Sequence, residues 1–173
     1  MRKIIITLGL IIVFFIAFIQ ISYAEMAKEG TISGKGYYNG NIQMLPMGKE
    51  RVQINYEVCG ISVSDNKESI FHNSSQYVLG GLHVVNGNIE DSGFIESTLT
   101  NGDKVFMTYK ASGKMGKPTI YKGTFSFVGG TGKVNGIQGG GEFTRYSLQP
   151  PAKGKSASFS VRKGNWKIVE AKE

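Results

Sequence analysis

Apolar and polar positions alternate with a period of two along most of the chain after residue 24. In the run that begins at Arg51, every second residue is apolar: Val52, Ile54, Tyr56 and Val58. Such alternation is typical of a β-strand that has one buried face. Similar runs predict eight strands, near residues 31–38, 51–62, 77–85, 88–99, 104–111, 119–128, 133–143 and 156–169.

Short turns join several of these runs. Asn86-Gly87 and Asn101-Gly102 each separate two predicted strands, and Asn-Gly supplies the positive φ angles that a tight hairpin needs. The glycine-rich stretch 129–132 turns the chain between strands six and seven. Eight antiparallel strands with short connections can close on themselves, which leaves no exposed edge. The sequence therefore predicts an all-β fold, an eight-stranded antiparallel closed β-barrel.

Two segments carry more apolar residues than simple alternation requires. The strand near 77–85 is apolar on both faces, which predicts that both faces are covered. The predicted loop 41–50 carries Met44, Leu45 and Met47. An apolar loop beside a barrel mouth is either a lid over the interior or a plug packed permanently over the barrel end.

The N-terminus has the composition of an export signal. Arg2 and Lys3 precede an apolar run over residues 4–19, and small residues at Ser22 and Ala24 fit signal peptidase cleavage. We expect a signal peptide of residues 1–24, a single domain of residues 25–173, and a secreted or periplasmic location. An uncleaved membrane anchor is the alternative. After cleavage no membrane contact is expected.

Charge and cysteine content narrow the choice of partners. The formal charge of +7 falls to +5 when Arg2 and Lys3 leave with the signal peptide. The basic residues stand singly along predicted strands, which favours a solvated face over a polyanion site, and no nucleic-acid partner is expected. Cys59 is the only cysteine, so no intramolecular disulfide can form, and we expect a small buried hydrophobe there.

Metal and cofactor sites are not expected. The chain has two histidines, His72 and His83, and one cysteine, so a site of three or four soft ligands is hard to assemble. The stretch 130–133, Gly-Thr-Gly-Lys, lacks the following Ser or Thr and the helix of a phosphate-binding loop.

The choice of candidate site residues depends on which face of each strand points into the barrel. The candidates for catalysis are Glu57, Cys59 and His83, because a carboxylate that points into a barrel has a raised pKa suited to acid or base work. Pointing outward, Glu57 would only aid solubility, and Glu90-Asp91 is expected to be solvated. The candidates for ligand binding are the aromatic residues Tyr56, Tyr109 and Phe125.

The glycine-rich hairpin also carries a family resemblance. The stretch 127–133, FVGGTGK, followed by Gly136 and by glycines 139–141, resembles a hairpin of the allene oxide cyclase and dirigent barrel superfamily, most of all its secreted bacterial members. Segments 101–106 and 121–125 are similar to strands of that group. The resemblance implies an eight-stranded antiparallel barrel with an apolar interior, which is often trimeric in plant members.

Two functions follow from the fold and this resemblance. One is noncatalytic binding of a small, partly apolar or phenolic ligand, or of a protein partner, including a second copy of the chain. The other is an isomerase or cyclase that acts on an oxylipin or phenolic substrate. In the cyclase branch a glutamate inside the barrel steers ring closure, and Glu57 is the candidate here for that kind of residue.

Overall fold

A computed structural model describes residues 26–169, so the predicted signal peptide lies outside the described part. These residues form eight strands and one short 3-10 helix, Gly132–Val134. The strands are β1 (Glu29–Pro46), β2 (Arg51–Ser64), β3 (Ser74–Val85), β4 (Asn88–Thr98), β5 (Lys104–Lys114), β6 (Ile120–Gly130), β7 (Ile137–Ser147) and β8 (Lys155–Ile168).

Each strand pairs antiparallel with the next, and β1 also pairs antiparallel with β8. Tyr37 on β1, for example, lies opposite Ile61 of β2 on one side and Phe159 of β8 on the other. The predicted all-β, eight-stranded, closed antiparallel barrel is therefore confirmed. Within residues 26–169 no helix combines the length and the apolar character that crossing a membrane requires.

Strand boundaries differ most from the predictions in β7 and at the end of β1. Strand β7 begins at Ile137, four residues later than expected, because the 3-10 helix occupies the start of the predicted strand. The segment predicted as an apolar loop instead continues β1 as far as Pro46, which pairs with Val52. Met44 and Leu45 there are 59% and 62% exposed, so the segment is neither a lid nor a plug.

Side chains on the inner faces of the strands form the core of the barrel. Buried apolar residues come from every strand, and the inner face of β3 includes Val78, which is fully buried. The outer face of β3 is different: Tyr77 and Leu79 are 38% and 48% exposed. The expectation that both faces of this strand are covered is therefore wrong, because no element of the described chain lies over the outer one.

The two ends of the barrel are built differently. The β2–β3, β4–β5 and β6–β7 connections lie at one end, together with residues 26 and 169, where the described part of the chain begins and ends; we call it the terminal end. The β2–β3 connection closes it with Phe71, whose ring lies 5.7 Å from Phe127 and 6.1 Å from Trp166. The other four connections lie at the opposite end, which we call the hairpin end.

Candidate functional site

A buried polar cluster occupies the barrel interior. It consists of one side chain each from β2, β4, β5 and β7: Tyr56, Asp91, Tyr109 and Arg145. We call these four residues the interior cluster. All four are buried, and Asp91 and Arg145 are only 3% and 5% exposed. An ion pair so fully removed from water is uncommon, which makes the cluster the main candidate for a functional site.

Alternation along each strand places these side chains inward. On β4, Asp91 shares the inner face with Ile89 and Ile95, which are both buried. On β7, Arg145 lies two residues beyond the buried Phe143. Asp91 is thus buried in the barrel, and the expectation that it is solvated together with Glu90 is wrong.

Hydrogen bonds join the four side chains into one network. The Tyr56 hydroxyl donates to Asp91 Oδ1 at 2.7 Å and shares a second hydrogen bond with the Tyr109 hydroxyl. Arg145 Nη1 donates to the Tyr56 hydroxyl at 3.2 Å and lies 3.4 Å from Asp91 Oδ2, an ion pair whose hydrogen bond is long. The network holds a positive and a negative charge together with two hydroxyls.

Aromatic rings surround the Arg145 guanidinium. Its central carbon lies 5.3 Å from the ring centroid of Tyr109 and 5.6 to 6.0 Å from four others, those of Tyr38, Phe143, Tyr121 and Tyr56. A cation within about 6 Å of an aromatic face is stabilised by the ring quadrupole. The rings therefore offset part of the cost of burying this charge.

Two glycines make room for the tyrosine hydroxyls. A Cβ atom at Gly80 would collide with the Tyr109 hydroxyl and would stand 2.6 Å from that of Tyr56. A Cβ atom at Gly93 would lie 2.6 Å from the Tyr109 hydroxyl. Both glycines are on inner faces, paired across β3 and β4. The Tyr56 and Tyr109 hydroxyls thus occupy space that is free only because Gly80 and Gly93 have no side chain.

Burial changes the protonation behaviour of the cluster. Removal from water raises the pKa of Asp91, and Arg145 and the Tyr56 hydroxyl only partly lower it again. Burial also raises the pKa of Tyr56 and of Tyr109, so both hydroxyls stay protonated at neutral pH. Burial alone would lower the pKa of Arg145, but its neighbours Tyr56, Tyr121 and Asp91 raise it, so the guanidinium stays charged.

Two polar atoms on paired residues of this interior have no hydrogen-bond partner within the described chain. They are Arg145 Nε and Ser160 Oγ, and both are buried. Arg145 and Ser160 lie directly opposite each other on β7 and β8. Native interiors leave few polar atoms unsatisfied, so a pair of them on neighbouring strands needs an explanation.

A second polar group in the interior is centred on another arginine. Arg162 on β8 donates to Gln76 Oε1 at 3.2 Å and to Ser62 Oγ at 2.6 Å, and Gln76 also accepts from the Tyr38 hydroxyl. These partners are neutral. The charged side chains on the described inner faces are Asp91, Arg145 and Arg162, so the interior carries a formal charge of +1.

The candidate catalytic residues lie on the outside of the barrel. Glu57 and Cys59 are exposed on the outer face of β2, and Glu57 accepts a hydrogen bond from the Tyr77 hydroxyl at 2.8 Å. The expectation that Cys59 is buried is wrong. His83 lies on the outer face of β3, opposite Gln53 and Glu90, and its Nε2 is buried without a partner in the described chain.

The candidate ligand-binding residues, by contrast, all lie inside. Tyr56 and Tyr109 belong to the interior cluster, and Phe125 packs beside them in the core, 6.0 Å from Phe127. The sequence reasoning did not select Asp91 or Arg145. The signal for both was their place in an alternating run, since each shares its strand face with apolar residues.

An apolar layer separates the interior cluster from solvent at the hairpin end. Val84, Ile89 and Tyr121 form this layer, and the Tyr121 ring also contacts the Arg145 guanidinium. On the solvent side of this layer is an open recess, which is lined by Val52, Val84 and Met115. Among residues 26–169 no group of three or more His, Cys, Asp or Glu side chains is arranged to hold a metal ion.

Known proteins resemble this chain in structure but not detectably in sequence. The pterocarpan synthase dirigent protein GePTS1 superposes with a TM-score of 0.54 and 11% identity, over 81% of this chain and 92% of that one. A second, PsPTS1, gives a TM-score of 0.46 and 10% identity, over 85% of this chain and 99% of that one. No family model matches, and no curated protein matches significantly. The first likeness confirms the predicted dirigent-like barrel as a fold.

Proposed function

We propose that this chain is an exported, noncatalytic binding protein that holds a small, partly apolar molecule inside its barrel, at the interior cluster. The observation that carries the proposal is the pair of unpartnered atoms, Arg145 Nε and Ser160 Oγ. Arg145 Nε is a donor and the serine hydroxyl is both donor and acceptor. An oxygen of a bound molecule that accepts from both atoms would satisfy them.

The energetics of the cluster also favour a role beyond stability. A buried ion pair often stabilises a fold less than apolar side chains of the same volume would. The barrel nevertheless carries Asp91 and Arg145 in its core, together with a second guanidinium, Arg162, that has only neutral partners. The interior charge of +1 favours an anionic ligand. An aromatic body with a carboxylate fits the rings and the charge together.

The ligand would enter from the hairpin end. The recess lined by Val52, Val84 and Met115 leads to the layer formed by Val84, Ile89 and Tyr121. Side chains of this layer must move before a ligand reaches Arg145. At the terminal end of the described chain, Phe71 packs against Phe127 and Trp166 and covers the interior.

The test uses 4-hydroxycinnamate as an anionic aromatic probe and 4-hydroxycinnamyl alcohol as its neutral counterpart. Residues 29–168 contain every strand of the closed barrel, so a chain that starts at Glu25 carries the whole fold. We expect this chain to bind the carboxylate more tightly than the alcohol in calorimetric titrations. Ser160→Ala should weaken carboxylate binding about fivefold to tenfold, because one hydrogen bond is lost.

A matched pair of variants separates the interior from the surface. Tyr109→Phe removes one hydroxyl of the interior cluster, and Tyr77→Phe removes one hydroxyl from the outer face, where it bonds Glu57. Only the first change should alter probe binding. Equal affinity of wild type, Ser160→Ala and Tyr109→Phe would contradict the proposal and would assign the unpartnered atoms to an ordered water.

A cyclase or isomerase is the second candidate, and the position of Asp91 favours it. This carboxyl group is buried, and burial raises its pKa, which is the environment of a carboxyl group that transfers protons as a general acid or base. One protein with this barrel is itself named a pterocarpan synthase. Glu57 and Cys59 are exposed on the outer face and would take no part in reaction inside the barrel.

The enzyme alternative predicts control over stereochemistry. Ring closure of an achiral precursor in free solution gives a racemic product, whereas closure inside a chiral barrel favours one enantiomer. Chiral chromatography of the product, with wild type and with Asp91→Asn, decides the matter. A racemic product from the wild-type chain would reject this alternative and leave the binding proposal untouched.

A further inference from the structure

Exposed apolar side chains are concentrated at the hairpin end. Three of its four connections, or the strand residues beside them, present such side chains to solvent: Met44, Leu45, Met47, Met115, Ile120 and Leu148, each 39% to 62% exposed. Single exposed apolar residues are ordinary, but six at one end of a small barrel form a surface with a role.

The β1–β2 ribbon carries half of these side chains beyond the rim of the barrel. The last residue of β1 that pairs with β8 is Asn41, whereas pairing with β2 continues to Pro46. Met44 and Leu45 point to opposite faces of the strand and are 59% and 62% exposed. Both faces of the ribbon tip are therefore open to solvent.

Positive charge is concentrated at the same end. The four connections of the hairpin end, with one strand residue on each side, hold one acidic residue, Glu50, and six basic ones: Lys49, Arg51, Lys114, Lys117, Lys153 and Lys155. Their net charge is +5. The same count for the described terminal end gives four acidic residues (Glu29, Asp65, Glu68 and Asp103) and four basic ones (Lys28, Lys67, Lys104 and Lys133), a net charge of zero.

The six basic side chains are available to a partner. Each of them is exposed. The ion pairs within the described residues, Lys104–Glu96 and Arg145–Asp91, involve none of them. Lys155 donates only to a neutral oxygen, Asn41 Oδ1, at 2.7 Å.

Backbone hydrogen bonds connect the hairpins that carry these residues. The Asn86 amide donates to the Glu50 carbonyl at 2.9 Å, and the Met115 amide donates to the Gly87 carbonyl at 2.8 Å. The Ile42 amide donates to the Gly154 carbonyl at 3.0 Å. The four connections that carry the exposed apolar side chains and the basic residues are therefore joined to one another at this end of the barrel.

We propose that the hairpin end docks on the surface of an anionic phospholipid bilayer. Apolar side chains that enter the headgroup region, flanked by basic residues that contact anionic headgroups, are the usual composition of an interfacial membrane site. A soluble polyanion would use the lysines but not the Met and Leu side chains. An apolar protein partner would use those side chains but not a charge of +5. The proposal is independent of any ligand in the interior.

Vesicle sedimentation tests the proposal with the chain that starts at Glu25, so that the apolar N-terminus does not contribute. The vesicles contain phosphatidylcholine alone or with about a third phosphatidylglycerol. We expect binding to the anionic vesicles only, and we expect salt to weaken it. Replacing Lys49 and Lys153 by Gln should weaken binding roughly 25-fold, about fivefold for each lysine. Leu45→Ser should weaken it about tenfold.

Control variants distinguish a specific surface from general stickiness. Lys67→Gln with Lys133→Gln removes the same charge from the terminal end, and Val128→Ser removes a similarly exposed apolar side chain, 58% exposed, from the outer face of β6. Neither should change binding. Equal losses in these controls, no binding to anionic vesicles, or binding that needs the lysines but not Leu45 would each overturn the proposal. The last result would point to a soluble polyanion.

Discussion

Replacement of Arg145 by Met tests whether the guanidinium is the centre of the interior cluster. The change keeps an unbranched side chain in the core but leaves the Asp91 carboxylate buried without its ion pair. Breaking a buried pair in this way costs about 3–5 kcal/mol. The 3.4 Å separation and the unpartnered Nε mean that Arg145 is not ideally satisfied, so we expect a loss near the lower limit, about 3 kcal/mol at neutral pH.

The loss should depend on pH in a known direction. Burial raises the pKa of Asp91 in the folded state, and Arg145 is the largest influence that lowers it again. Without Arg145 this pKa rises further, so the folded variant holds a proton that the unfolded chain releases. The stability of the variant is then greatest at pH values below the ordinary pKa of a carboxyl group. It falls as pH rises through the pKa that Asp91 has in the folded variant, by up to about 1.4 kcal/mol per pH unit.

Urea unfolding at pH 4.5 and pH 7.5, followed by the fluorescence of Trp166, measures both effects. Trp166 is the only tryptophan and is buried. The difference in the free energy of unfolding between wild type and Arg145→Met should be larger at pH 7.5 than at pH 4.5. Adding Asp91→Asn to Arg145→Met should reduce this difference at pH 7.5. The control Arg51→Met alters an exposed residue and should stay within about 0.5 kcal/mol of wild type. A loss below about 1 kcal/mol at pH 7.5, or one that is equal at both pH values, would refute the reasoning.

Three further predictions follow from the packing. Gly80→Ala should lower the free energy of unfolding in urea by about 1–3 kcal/mol, because the new methyl group collides with the Tyr109 hydroxyl. Unchanged stability would mean that the interior cluster rearranges freely. Phe71→Ala should cost about 3–5 kcal/mol and shift the Trp166 emission, because it opens the terminal end, and unchanged emission would contradict that packing. We also expect the chain to form a homo-oligomer whose interface is the outer face of β2–β4. Phe94 on this face is 66% exposed, so Phe94→Ser should release monomers in sedimentation experiments. A monomeric wild-type chain would contradict this prediction.

The closed barrel was predictable from sequence because its determinants are local. Alternation with a period of two marked the strands, and Asn86-Gly87 and Asn101-Gly102 marked two of the hairpins. The start of β7 was misplaced because a 3-10 helix and a strand both tolerate the glycine-rich sequence before Ile137.

The interior cluster was not predictable to the same degree, because alternation separates two faces without saying which is inside. Tyr56 and Tyr109 were selected as aromatic residues of strands, and both lie in the interior. Asp91 and Arg145 were missed because a charged residue is normally assigned to the solvent side, and here the barrel buries them against each other. Glu57, on the opposite face from Tyr56, points to solvent.

A crystal structure of the chain soaked with 4-hydroxycinnamate tests the central claim most directly. The account predicts the probe inside the barrel, with a carboxylate oxygen within hydrogen-bonding distance of Arg145 Nε and Ser160 Oγ and its ring beside Tyr109. A probe bound only on the outer face, or an interior with a single ordered water between those two atoms at saturating probe, would contradict it.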